Sequence, residues 1–182
     1  LNGIEVKGYT ENGNNSTVQL ENGYSFTTQK LLIATNGFTK KILPELTIKP
    51  ARAQVLITEP IKGLNIKGTF HLEEGYYYFR NIDNRILLGG GRNLAFKTET
   101  TTELATTSLI QNQLEKLLHE LILPQQEIKI AHRWAGVMGV GTSNKKPIIK
   151  QLSNSVYCGV RMGGMGVAIG SLVGEKLANL ID

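Results

Sequence analysis

The sequence predicts an α+β fold dominated by short strands, with one long helix midway and another at the carboxy-terminal end. Three observations carry this reading. Apolar and polar residues alternate in several short runs separated by Gly- and Asn-rich turns. Leu104, Leu109, Leu114, Leu117, Leu118 and Leu121 recur at roughly helical spacing. A glycine cluster, VRMGGMGVAIG (160–170), leads into an apolar helical stretch.

In chain order, residues 2–35 read as a β-meander. Ile4, Val6, Val18 and Leu20 alternate with polar residues, and ENGNNS (11–16) and ENG (21–23) supply the turns. KLLIAT (30–35) is continuously apolar, as in a strand buried on both faces, and Gly37 permits a tight exit. A short helical link, TKKILPEL, runs to a boundary at Pro50. ARAQVLITEP (51–60) reads as a strand and GYYYFRNIDNRILLGGG (75–91) as a hairpin turning at NIDN. Residues 101–122 form the long amphipathic helix. EIKIAHRWAGVMG (127–139), PIIKQL and SVYCGV are three further strands, with the loop GTSNKK after the first.

At 182 residues the chain can bury a real core as one domain or two small ones. Its net charge of +5 is small and scattered, which is no argument for nucleic acid. No apolar run approaches the ~20 residues that span a bilayer, and none has the make-up of a signal peptide. The single cysteine, Cys158, leaves no internal disulfide and fits a reducing, cytoplasmic setting. Its neighbours, SVYCGV, mark it as a buried strand residue. A start at Leu1 in mid-strand suggests a piece of a longer protein.

The glycines admit two readings. A dinucleotide fingerprint needs a following strand and an acid about 20 residues on, and the sequence ends too soon after Gly170 for either. Gly163, Gly164 and Gly166, ahead of a helix, would still let backbone N–H groups approach an anionic ligand closely. Gly166, Gly170, Gly174 and Ala178, spaced by four, would alternatively make a small-residue packing stripe, the reading favoured for Gly170 and Gly174. His71, His119 and His132 have neither metal-ligand nor triad spacing, and no metal is expected.

Five segments then carry a pattern in fixed order: LLIATNGF, PARAQVLITEP, YYYFRNIDNRILLGGG, HRWAGVMGVGTSNKKPII and NSVYCGVRMGGMGVAIGSLVGEKLANLI. In this the chain resembles the carboxy-terminal half of FAD-dependent oxidoreductases of the D-amino-acid oxidase superfamily, in its glycine oxidase and sarcosine oxidase branches. The resemblance implies the end of an FAD-binding domain at 1–47, a substrate domain at 48–138 and a return to the FAD domain at 139–182. The main diphosphate site would lie outside this chain. Ala34, Thr35, Asn36 and Gly37 would run along the flavin nucleotide. Gly163, Gly164, Met165, Gly166 and Val167 would point backbone N–H groups at the flavin ring, where negative charge develops on reduction.

Tyr77 or Tyr78 would line the substrate cavity, although a YYY run also suits sheet packing. Arg161 would hold a substrate carboxylate through its planar fork; an arginine reaching solvent at a strand end is the other reading. Met138 stands where related chains carry a second arginine, and Asn144 where they carry an acid. No cysteine lies near Trp134, so FAD would be noncovalent. The implied activity, at full length, is oxidation of the C–N bond of an amine or amino acid by hydride transfer to FAD, the fragment alone being inactive. A non-catalytic binding module and an FAD-dependent tRNA-modifying oxidase are the alternatives.

Overall fold

A computed structural model describes residues 2–124, 126–142 and 144–181. They fall into two compact units, residues 1–51 with 138–182 and residues 52–137.

The first unit opens with an antiparallel meander of β1 (Val6–Asn12), β2 (Asn15–Leu20) and β3 (Ser25–Thr28). Period-two alternation puts Ser16, Val18 and Leu20 on the buried face of β2. The Ser16 and Ser155 hydroxyls share a buried hydrogen bond of 2.8 Å, tying the meander to the second sheet of this unit. In that sheet β4 (Leu31–Ile33) lies parallel to β11 (Val156–Val160), and β10 (Ile148–Gln151) pairs antiparallel on the other side of β11. As the central strand, β11 is buried throughout, Cys158 included. Burial raises the Cys158 thiol pKa, so this is an unreactive core group. Helix α2 (Gly166–Ala178) covers β11 through Val173 and Leu177. A Cβ on Gly159 would stand 2.9 Å from Leu177 Cδ2 and 3.3 Å from Val173 Cγ1, so glycine sets the approach of helix to strand.

The second unit is built on a five-stranded sheet in the order β6 (Thr69–Leu72), β7 (Tyr77–Ile82), β8 (Arg85–Gly90), β5 (Lys49–Thr58), β9 (Ile130–Val140). The hairpin turns at Asp83-Asn84, with Asp83 at φ 51°. Leu56, Tyr77, Phe79, Ile86 and Leu88 form one side of the core, and Ile110, Leu114, Leu118, Ile122 and Leu123 the other.

The helix is shorter than its leucine spacing implies. Only α1 (Ser108–Leu117) is α-helical, and it continues into a π-helical turn at Leu118–Ile122, where the Leu123 N–H donates to the Leu118 carbonyl at 2.8 Å. Its buried stripe is Ile110, Gln111, Leu114, Leu118 and Ile122, whereas Leu104, Leu109 and Leu121 are exposed. Residues 102–107 are not helical because both flanks are held elsewhere and threonine is a weak helix former.

Glu99 is buried against Arg52, whose Nε and Nη2 each donate to its carboxylate at 2.8 Å. Gln54 Nε2 donates to Glu99 Oε2 (3.0 Å) and to Thr107 Oγ1 (3.0 Å). Gln54 Oε1 accepts from the Thr107 N–H (2.9 Å) and Gln111 Nε2 (3.3 Å), so the amide makes its full set of four bonds.

Two smaller expectations also change. Leu32 is 38% exposed, so β4 is not buried on both faces. The left-handed conformation after β4 falls on Asn36 (φ 40°) rather than Gly37, asparagine being among the residues that tolerate it. Among the described residues no helix is long and apolar enough to cross a membrane.

Burial raises the Glu99 pKa, but the bonds from Arg52 and Gln54 and the positive charges nearby more than offset this and hold it below the usual carboxylate range. A depressed folded-state pKa contributes stability that is complete above the unfolded carboxylate pKa and is lost as pH falls through the folded one. Arg52→Met should therefore cost roughly 3–5 kcal/mol at neutral pH, by stranding a buried carboxylate. Glu99→Gln should flatten the acid limb of the stability curve. Denaturant melts between pH 3 and 7 check both, and an unchanged acid limb in Glu99→Gln would show that the pair does not govern it.

Candidate functional site

Three segments of the first unit meet at Asn36. Beyond β4, Ala34 and Thr35 lead into a 3-10 turn, Asn36–Lys41. The Met162 N–H donates to Asn36 Oδ1 at 3.1 Å, and Thr39 Oγ1 donates to the Asn36 carbonyl at 2.7 Å. The third segment is the end of β9, where a Cβ on Gly139 would sit 2.8 Å from Asn36 Oδ1 and 2.9 Å from its carbonyl oxygen. Any larger residue at 139 would displace the asparagine that holds Met162.

Arg161 precedes that contact in an uncommon conformation for a non-glycine residue, φ 65°. Its Nε donates to the Lys146 carbonyl (2.9 Å), Nη1 to the Thr47 carbonyl (3.2 Å) and Nη2 to Asn144 Oδ1 (2.8 Å). The guanidinium thus clamps the loop after β9 to the turn after β11. Asn144 serves this clamp twice, because its Oδ1 also accepts the Lys146 N–H at 3.2 Å.

The clamp and Asn36 position the glycine turn. A 3-10 turn at Gly163–Met165 runs directly into α2, and neither start has a side-chain cap or an acid in its first turn. The opening N–H groups of a helix have no partners within it. A Cβ on Gly163 or Gly166 would meet nothing within 4 Å, and one on Gly164 would meet only Met138 Sδ, at 3.6 Å. Gly164, Met165 and Val167 are exposed. The packing reading of the stripe also gains no support, since Gly174 faces open space and Gly170 has only Met162 Sδ, at 3.9 Å. The helix packs instead on its Val173–Leu177 side.

The tyrosines belong to the second unit and divide by strand alternation. Tyr77, at 1% exposure, is a core residue. Tyr78 points to the other face, and its ring lies across Gly89, where a Cβ would come within 2.6 Å of Tyr78 Cζ and Oη. Burial raises the Tyr78 pKa, so its hydroxyl is a proton-bearing donor at neutral pH. The structure therefore brings Ala34–Gly37 together with Arg161–Val167. Gly139 and Met162 were passed over in the sequence; the only signal for them was their place beside motifs already singled out.

The family model for FAD dependent oxidoreductases (DAO) matches residues 1–180. The chain belongs to this FAD-dependent family. Similar solved structures include L-proline dehydrogenase from P. horikoshii (24% identity, TM-score 0.77), which covers 98% of this chain and 49% of its own. Glycine oxidase from Geobacillus kaustophilus (14%, 0.79) covers 98% and 48%. Iminodiacetate oxidase from Chelativorans sp. BNC1 (16%, 0.73) covers 96% and 48%. At these identities the likeness is one of fold, and this chain spans about half the length of each. The comparison with curated proteins returned no match.

For an FAD-dependent oxidoreductase chain, the Asn36 junction joins the ATNG segment to the glycine turn, and Arg161 braces that junction. Arg161→Met removes three hydrogen bonds, two of them to backbone carbonyls, and should cost roughly 2–4 kcal/mol. Arg161→Lys should recover only part, since an ammonium cannot serve three divergent acceptors. Thermal melts of the three proteins decide the point: equal melting temperatures would mean that the clamp contributes nothing.

Proposed function

We propose that this chain is the carboxy-terminal part of a flavoenzyme that oxidises the C–N bond of an amine or amino acid. The observation that carries the reading is the uncapped start of α2, on a glycine turn pinned by Asn36 and Arg161, in a chain of an FAD-dependent family.

The residues present fit the cofactor. The cradle lacks every Cβ that would obstruct close approach at Gly163, Gly164 and Gly166. The N–H groups opening a helix favour an electron-rich, partly negative group. Gly163–Val167 would hold the flavin ring from this side, and Ala34–Gly37 the adjoining nucleotide. FAD, when bound, supplies the hydride acceptor. The chain's own contribution is to keep these donors in place ahead of reaction, so that no reorganisation is needed as charge accumulates. In the second unit, Tyr78 would offer a protonated hydroxyl to substrate, and Tyr77 would hold the strand in register from the core.

Gly164→Val is the informative variant. Its Cβ would meet only one flexible sulfur within this chain, so folding should survive. In the full-length protein the branched side chain should nonetheless weaken flavin binding at least tenfold, about 1.4 kcal/mol. Flavin absorbance per mole of purified protein, and the rate at which amines bleach it without oxygen, are the quantities to measure. Wild-type protein that carries no flavin would sink the reading. A Gly164→Val protein with full flavin content and unchanged bleaching would remove the glycine turn from it.

A further inference from the structure

Lys30 stands just before β4 and carries an ammonium that meets no carboxylate among the described residues. Its Nζ donates to the Tyr157 hydroxyl oxygen at 2.9 Å and to the Asn154 carbonyl at 3.4 Å. One of the ammonium's three N–H groups is then left without an acceptor among the described residues. Tyr157 is buried, and its oxygen also accepts from Gln151 Nε2 at 3.2 Å. The same Nε2 donates to the Ser153 carbonyl (2.9 Å), which fixes which end of the amide faces the phenol. Both acceptor positions of the phenol are thus filled, and its own proton has no acceptor among the described residues. Lys30 and Tyr157 form a cluster with donors to spare.

The cluster borders an open cavity of about 610 Å³, lined by Asn14, Asn15, Gln29, Lys30, Gln151 and Asn154. That size is within the range of small-molecule sites. The lining holds one cation, no carboxylate and otherwise only carboxamides, each able both to donate and to accept. Short contacts around Ser155 hold the lining segments together. The Ser16–Ser155 hydroxyl bond of 2.8 Å sets Asn15 beside Asn154, and the Leu31 N–H donates to the Ser155 carbonyl at 2.7 Å, bringing Lys30 to the same place. β4 and β11 run parallel, with Lys30 and Asn154 ahead of them in the chain and Asn36 and Gly163 beyond them. The cavity therefore lies at the opposite end of this sheet from the glycine turn.

We propose that this cavity binds a polyhydroxylated anion of monosaccharide size, a sugar phosphate or a sugar acid. The anionic oxygen accepts from Lys30 in a charge-assisted bond. An acceptor placed there also stands beside the Tyr157 hydroxyl and supplies what its proton lacks. The carboxamides take the sugar hydroxyls, since each hydroxyl both gives and accepts a hydrogen bond, as an amide does. A single cation selects a small anion over a polyanion such as nucleic acid, which is held by many cations at once. The proposal does not rest on the flavin reading, because the site and the glycine turn share no residue.

The test titrates the full-length protein with glucose 6-phosphate and with gluconate, followed through the side-chain amide NMR signals of Asn14, Gln29 and Asn154. Glucose and inorganic phosphate are the controls, the first without the charge and the second without the array of hydroxyls. At least one of the two sugar anions should shift these signals saturably, with an affinity roughly tenfold or more above either control. Which of them binds tells whether the site takes a phosphate or a carboxylate. Lys30→Gln, at an exposed position where folding should survive, should weaken that anion roughly fivefold or more and leave glucose unaffected. No saturable shift, equal affinity for glucose or inorganic phosphate, or unchanged affinity in Lys30→Gln would overturn the proposal. If Lys30→Gln does not fold, the wild-type comparison with the two controls decides alone.

Discussion

A buried carboxylate must be matched, and the second unit is organised around the matching of Glu99. Removing a charge from water costs several kcal/mol even after relaxation, so Arg52 and Gln54 have to sit where they do on β5. Once Gln54 is there, its remaining bonds decide where α1 begins, through Thr107, and how α1 lies, through Gln111. The helix in turn brings Ile110, Leu114 and Leu118 over the sheet. One ionic contact thus sets a polar chain that orients an apolar layer. Hydrophobic burial supplies most of the driving force, but it is non-directional, and the polar chain supplies the direction.

The first unit solves a different problem, that of holding a backbone surface bare. A glycine turn left to itself would be flexible. Here it is anchored at one end by Asn36 on the Met162 N–H, at the other by Val173 and Leu177 on Gly159, and braced by Arg161. On this turn the Met165 and Val167 side chains remain exposed, while the Met165 N–H donates to the Met162 carbonyl at 3.1 Å.

Features governed by local pattern were legible in the sequence. The alternation of Val18 and Leu20, the turn in NIDN and the apolar run of β11 read correctly, because strand period and turn chemistry are short-range, whereas Ser16, read as part of a turn, lies inside β2, and Val6 is exposed. The five ordered motifs likewise announced the family. What failed to read was long-range and polar. Leu104, Leu109 and Leu121 look like helix core by spacing, yet Glu99 and Thr107 are held by residues some fifty positions away. The acceptors of Arg161 are two backbone carbonyls and an amide, and a carbonyl leaves no trace in composition.

The topology of the first unit has a bearing on how the molecule assembles. β4 pairs in parallel with β11, Ile33 against Cys158, while the whole second unit is strung between them. Closing so long a loop is entropically costly, and non-local pairing of this kind is slow. During synthesis the β4–β11 pairing and the Ser16–Ser155 contact cannot form until β11 appears. The intervening unit, whose contacts close within itself, can be complete before then. A chain normally settles from its amino-terminal end forward; here residues 52–137 can close before the strand pair that brackets them in sequence. Until β11 arrives the β4 edge it will cover lacks that partner, and unpaired strand edges are open to mispairing.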